Sequence, residues 1–115
     1  MRRRLRVLRS FLADVSARAR WLRAHGSTDE IAALRAGLDE GRALLRRFPA
    51  AGAIERQAGA RVLRRLILRR VPYVVWYVDD GTTIWMVRLF HARQKRALPV
   101  SGSRGRRPSD GRRAR

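Results

Sequence analysis

Arg88, His91, Arg93, Gln94, Lys95 and Arg96 crowd together where the apolar part of this chain runs out. Guanidinium and ammonium groups hold phosphate, and an imidazole moves a proton near neutral pH. Two tyrosines, Tyr73 and Tyr77, lie on the preceding apolar run and could stack a base. Two readings stay open for this cluster. In one it is a polyanion site, with Arg88, His91 and Arg93 as candidate catalytic residues around a phosphate. In the plainer one it is a charged strand end, with Arg88 paired to an acid and His91 satisfied in the core.

Other chemistries have less to stand on. The chain has no cysteine and two histidines. Disulfides, thiol catalysis and Cys-ligated zinc are therefore excluded, and no metal or cofactor is expected. No glycine-rich phosphate loop, serine elbow or triad pattern is present. Asp79-Asp80 is an adjacent acidic pair, but it precedes Gly81 and reads as turn chemistry.

The net charge is +19, from 28 basic and 9 acidic residues, and Lys95 is the one lysine among the basic residues. A surface this positive attracts polyanions, whether RNA, DNA or an acidic protein. The start is basic, yet Arg6, Arg9, Asp14 and Arg18 interrupt any apolar stretch, which argues against a signal peptide. The longest near-apolar run, Val71 to Val78, is too short to span a bilayer, and a cytoplasmic location is expected.

The elements that must position the cluster follow from periodicity. Leu5 and Val7 alternate with Arg4 and Arg6, a weak strand signal. Ser10 is the expected N-cap of a first helix bearing Phe11, Leu12, Val15, Ala19 and Leu22. His25-Gly26 ends it. Ser27 and Glu30 have capping-box spacing for a second helix, which carries Ile31, Leu34, Leu38, Leu45 and Phe48 and stops at Pro49. The short link makes the two helices an antiparallel hairpin. Residues 50–60 read as an irregular surface connection. Strands are expected at Val62–Leu68, Tyr73–Val78 and Thr83–His91, the last two joined by the Asp79-Asp80-Gly81-Thr82 turn.

With Asp80-Gly81 at the tip, Tyr77 is expected opposite Ile84, Val75 opposite Met86 and Tyr73 opposite Arg88. One face then carries Tyr73, Val75, Tyr77, Ile84, Met86, Arg88 and Phe90. The other carries Val74, Trp76, Val78, Trp85, Val87, Leu89 and His91, and its Trp76–Trp85 pair assigns it to the helices. From Ala97 onward the residues are mostly Pro, Gly, Ser and Arg with few apolar ones, and six arginines against Asp110 give a net +5. Such a segment offers too few apolar groups to offset its ordering entropy, so residues 97–115 read as a disordered basic tail after one domain over 1–96.

The segments VLRRL, RRVPYVVWYV, DDG and VRLFHARQ, in that order after a helical hairpin ending in Leu45, Phe48 and Pro49, resemble the RelE/ParE superfamily of toxins from bacterial type II toxin–antitoxin modules. Residues matching the superfamily pattern are Arg64, Arg65, Pro72, Tyr73, Tyr77, Gly81, Arg88, His91, Arg93 and Gln94. The resemblance implies an α+β fold: an N-terminal strand, an antiparallel helical hairpin, then a three-stranded antiparallel meander in one small sheet. It also implies a cognate antitoxin, often acidic, that neutralises the toxin. ParE-like members inhibit DNA gyrase, whereas RelE-like members cleave mRNA on the ribosome. The Pro-Tyr strand and the His-x-Arg ending sit nearer the ParE-like branch, so no enzymatic activity is the leading expectation. An mRNA endonuclease and a non-toxic basic nucleic-acid-binding protein are the alternatives. For any of these, Arg64, Arg65, Tyr73, Tyr77, Arg88, His91, Arg93, Gln94 and Arg96 are the candidate contacts to target or nucleic acid.

Removing residues 97–115 is expected to leave the fold and antitoxin binding unchanged. Thermal melts and antitoxin titrations of the full and shortened chains check this.

Overall fold

The structure, a computed structural model, describes residues 3–93. Gln94, Lys95, Arg96 and the basic tail lie outside the described residues. The element order is β1 (Arg4–Val7), α1 (Arg9–Ala24), α2 (Thr28–Arg47), β2 (Ala53–Ala58), β3 (Arg61–Ile67), β4 (Tyr73–Asp79) and β5 (Thr83–His91). The five strands form one sheet in the order β1-β5-β4-β3-β2. β1 runs parallel to β5, and the other pairs are antiparallel. The α+β class, the N-terminal strand and the helical hairpin are as the sequence implies.

The meander has four strands, not three. Residues 50–60 are not an irregular connection, because Ala53–Ala58 pairs with β3. Their alanine-rich composition gives little strand propensity, so the pairing is set by the neighbouring strand rather than by local preference. Gly59, at φ +58°, supplies the turn between Ala58 and Arg61.

The helix starts also differ. α1 begins after Leu8, and Ser10 donates instead to the Val87 carbonyl, 2.6 Å away. At α2, the Ser27 hydroxyl donates to the Glu30 carboxylate, so these two side chains bond each other rather than each other's backbone.

The helices cover the face opposite to the one expected. Phe11, Leu22, Leu34, Leu38 and Leu45 pack with Tyr73, Val75, Tyr77, Ile84, Met86 and Leu89. Leu63, Val74, Trp76 and Phe90 form a second cluster, and the Trp76 and Phe90 rings meet edge to face at 5.0 Å. Both faces are apolar, so alternation alone does not choose between them. The polar end of Tyr77 does: under the helical hairpin its hydroxyl donates to the Pro49 carbonyl (2.7 Å) and accepts from the Gly52 N–H (2.9 Å). Burial first, and Arg64 and the Gly52 bond in opposition, leave its phenol pKa raised, so the neutral form is held.

The β4–β5 register is likewise shifted from the expected one. Tyr77 lies opposite Met86, Asp79 opposite Ile84, and Tyr73 opposite His91. The tip sits one residue further along, at Gly81-Thr82: the Asp80 N–H donates to the Thr83 carbonyl (3.2 Å), and the Asp80 carboxylate accepts from the Thr82 and Thr83 N–H groups (3.0 and 2.8 Å) and from the Trp85 indole (3.0 Å). Trp85 is thereby drawn to the turn and not to Trp76. These bonds hold the Asp80 carboxyl below the usual carboxylate range, the Trp85 bond contributing most. Between Trp76 and Tyr77 the register slips again, as Trp76 faces Arg88 while Tyr77 faces Met86. This bulge leaves Val87 without a counterpart and turns Leu89, instead of Phe90, into the helix-side core.

Tyr77→Phe orphans the buried Gly52 N–H and is expected to cost about 1–3 kcal/mol in chemical denaturation. Asp80's lowered pKa means its contribution is fully present above the unfolded carboxylate range and fades as pH falls below it. Asp80→Ala should therefore destabilise the protein at neutral pH, and the gap to the parent should narrow near pH 3 (roughly one unit below the ordinary carboxylate pKa) in thermal melts.

Candidate functional site

β5 outruns its neighbour. β1 pairs with it only as far as Met86, which leaves the backbone of Val87 to His91 without a strand on that side. The start of α1 takes the strand's place. The Leu8 N–H donates to the Met86 carbonyl (3.0 Å), and the Ser10 hydroxyl donates to Val87. One turn on, the Asp14 carboxylate accepts from the Leu89 N–H (2.9 Å). The same carboxylate takes Arg88 in a two-pronged pair, Nε at 2.7 Å and Nη2 at 3.2 Å. Asp14 is mostly covered, so the pair is less screened than a surface ion pair.

Beside this pair is a groove of about 390 Å³ between α1 and the β4–β5 end, lined by Asp14, Ala17, Arg18, Trp21, Tyr73, Leu89 and Phe90. The Arg18 guanidinium sits 5.3 Å from the Trp21 ring and 5.6 Å from the Tyr73 ring. Trp21 is 51% exposed and stacks on His25 at 3.9 Å. A cation between two aromatic faces, one of them open, can hold an anionic or planar group. Tyr73 is buried. Its pKa is raised by that burial and partly restored by Arg18.

The structure thus brings Tyr73, Arg88, His91 and Arg93 to one end of β4 and β5. Tyr73 and His91 are cross-strand partners whose rings meet edge to face at 5.5 Å. The Arg93 N–H donates to His91 Nδ1 at 3.1 Å. In a neutral ring that bond leaves the proton on Nε2, so Nε2 acts as a donor. Arg88 matches the plainer reading, an arginine paired to an acid.

Arg64, Arg65 and Tyr77 are elsewhere. Arg64 donates to the Gly52 carbonyl (2.7 Å), and Arg65 lies 3.8 Å from Glu55. Tyr77 is 0% exposed, so in this conformation it meets no surface partner. Gln94 and Arg96 lie outside the described residues. Among the described residues no cluster of His, Asp or Glu is arranged to hold a metal ion. Among the described residues, the one carboxylate lining the groove, Asp14, is committed to Arg88.

Sequence reasoning missed Asp14, Arg18 and Trp21. Their spacing of four and three residues marks one helix face, which was readable. That this face looks onto the end of β5 is a tertiary fact with no local signal.

No protein-family profile matches this chain, and no curated protein matches its sequence. Solved structures do match in fold. A chain described as "Chromosomal ParDE TA system from P. aeruginosa" aligns at TM-score 0.63 and 18% identity, covering 79% of this chain and 97% of that one. A chain of the "archaeal RelE-RelB complex from Pyrococcus horikoshii OT3" aligns at TM-score 0.57 and 15% identity, covering 83% and 100%. The chain has the RelE/ParE-like fold.

Asp14→Ala and Arg88→Ala are each expected to lower stability by about 1–3 kcal/mol, because each leaves a charged partner stranded. The double variant should cost less than the sum of the two. Denaturant titrations in a double-mutant cycle measure that coupling.

Proposed function

We propose that this protein is the toxin of a type II toxin–antitoxin module, neutralised by an acidic cognate antitoxin. It acts in the cytoplasm, in the ParE-like manner, by binding DNA gyrase rather than by cleaving a substrate. The fold likeness to chains from a ParDE system and a RelE–RelB complex supports the toxin role. The net charge of +19 suits an acidic partner. The observation that carries the choice of mechanism is the Asp14–Arg88 pair. It commits Arg88, one of the two candidate phosphate-holding arginines, and leaves the groove, among the described residues, without an uncommitted carboxylate. What remains is a contact surface.

One observation favours a second reading. Arg18 between Tyr73 and the exposed Trp21 is a basic and aromatic arrangement that also suits single-stranded RNA. An mRNA endonuclease would use it to stack a base. A non-toxic basic nucleic-acid-binding protein would use it for affinity alone.

Induction in a bacterial host, with and without the adjacent small open reading frame, tests the proposal. Growth arrest rescued by the neighbour is expected, with inhibited gyrase supercoiling and intact transcripts. Arrest with cleaved transcripts and normal supercoiling would select the endonuclease. An absence of arrest, together with nucleic-acid affinity that falls steeply with salt, would select the binding protein.

A further inference from the structure

In the groove between α1 and the β4–β5 end, a cation, a phenol and apolar walls converge. Arg18 has no carboxylate within ion-pair reach among the described residues. The Trp21 and Tyr73 rings hold its guanidinium instead, at 5.3 and 5.6 Å, and a ring face takes none of its N–H donors as a carboxylate would. No hydrogen bond engages the Tyr73 hydroxyl among the described residues, and burial keeps that phenol protonated and able to donate. Glu30 is the other acid felt by the phenol, and it is bonded by the Ser27 hydroxyl. Ala17, Leu89 and Phe90 complete the lining. A few converging polar groups in a mostly apolar recess are the usual make-up of a small-molecule site.

Charge and size narrow the occupant. Arg88 neutralises Asp14, so Arg18 gives the lining one unbalanced positive charge. A ligand with a single negative charge balances it. A phosphate monoester, at about −1.5 to −2, brings more charge than that beside the Asp14 carboxylate. A carboxylate matches the guanidinium edge through two parallel bonds. The volume of about 390 Å³ lies within the range of small-molecule sites. RNA fits less well, because each further nucleotide adds a phosphate and the adjacent guanidinium, that of Arg88, is held by Asp14. We infer that this groove binds a small planar aromatic carboxylate, its acid group on Arg18 and its ring against Tyr73, Leu89 and Phe90. This site goes beyond the proposed toxin role and does not depend on whether the chain arrests growth.

The full-length protein is titrated with naphthalene carboxylate and followed by amide chemical shifts. Saturable shifts are expected at Ala17, Arg18 and Leu89. Naphthalene carboxamide keeps the ring and loses the charge, and decalin carboxylate keeps the charge and loses the planar ring. Each is expected to bind about tenfold more weakly or less. Arg18→Gln, checked for an unchanged thermal melt, is expected to weaken the carboxylate by a similar factor. Arg20→Gln removes an exposed arginine of the same helix that does not line the groove, and it should leave binding unchanged. Equal binding of the carboxamide or of decalin carboxylate, or an equal loss in Arg20→Gln, would overturn the inference in favour of general attraction to a basic surface. An oligouridylate that shifts Arg18 and Leu89 where naphthalene carboxylate does not would overturn it in favour of RNA.

Discussion

A single carboxylate sets the geometry at the working end of this protein. Past Met86, β5 has no strand on the side away from β4, and an uncovered half-strand offers unpaired amide groups to any chain that meets it. Asp14 closes that gap by accepting from the Leu89 N–H while holding the Arg88 guanidinium. Through Asp14 and Ser10, α1 stands in for the missing strand. The β-bulge, the inward turn of Leu89 and the groove beside Arg18 all sit around that anchor. Both oxygens of this acid accept, Oδ2 from Arg88 Nε and the Leu89 N–H and Oδ1 from Arg88 Nη2. It also removes Arg88 from the pool of cations that can meet a ligand.

The same economy governs the other acids. Asp79 holds Arg3, Glu55 lies beside Arg65, Glu40 beside Arg70, and Asp80 organises the β4–β5 turn. A chain with few acids places most of them at structural joints. Most other described arginines have no ion pair, and Arg4, Arg6 and Arg46 are three of them that lie together at the β1 edge. Arg18 is a further open cation, but its neighbours are the rings of Trp21 and Tyr73, so it selects a different kind of contact.

Much of the fold was legible because its signals are local. The helical stripes, the Gly26 and Pro49 stops and the Asp-Gly turn each act within a few residues. The resemblance carried by the Pro-Tyr strand and the HARQ ending agrees with the observed fold. What was not legible depended on distance. β2 has too little intrinsic strand preference to announce itself, and β3 imposes it. The choice between two apolar sheet faces turned on one hydroxyl, that of Tyr77, finding Pro49 and Gly52. Asp80's extra bonds and the bulge at Val87 then moved the register. At the site, the pairing of Arg88 to an acid was one of the two readings the residues allowed. The identity of that acid, Asp14, lies 74 positions away and could only come from the fold.

The central claim is that Arg88 serves structure and the surface around it serves contact. Asp14→Asn together with Arg88→Gln tests this most directly, because the neutral amides can keep the bonds to each other and to the Leu89 N–H while the guanidinium is gone. Growth arrest on induction is the readout, with a thermal melt confirming the fold. If the proposed toxin role holds, the folded double variant is expected to arrest growth still and to be rescued by the adjacent open reading frame. A folded double variant that no longer arrests growth would contradict it and return Arg88 to a ligand-holding role.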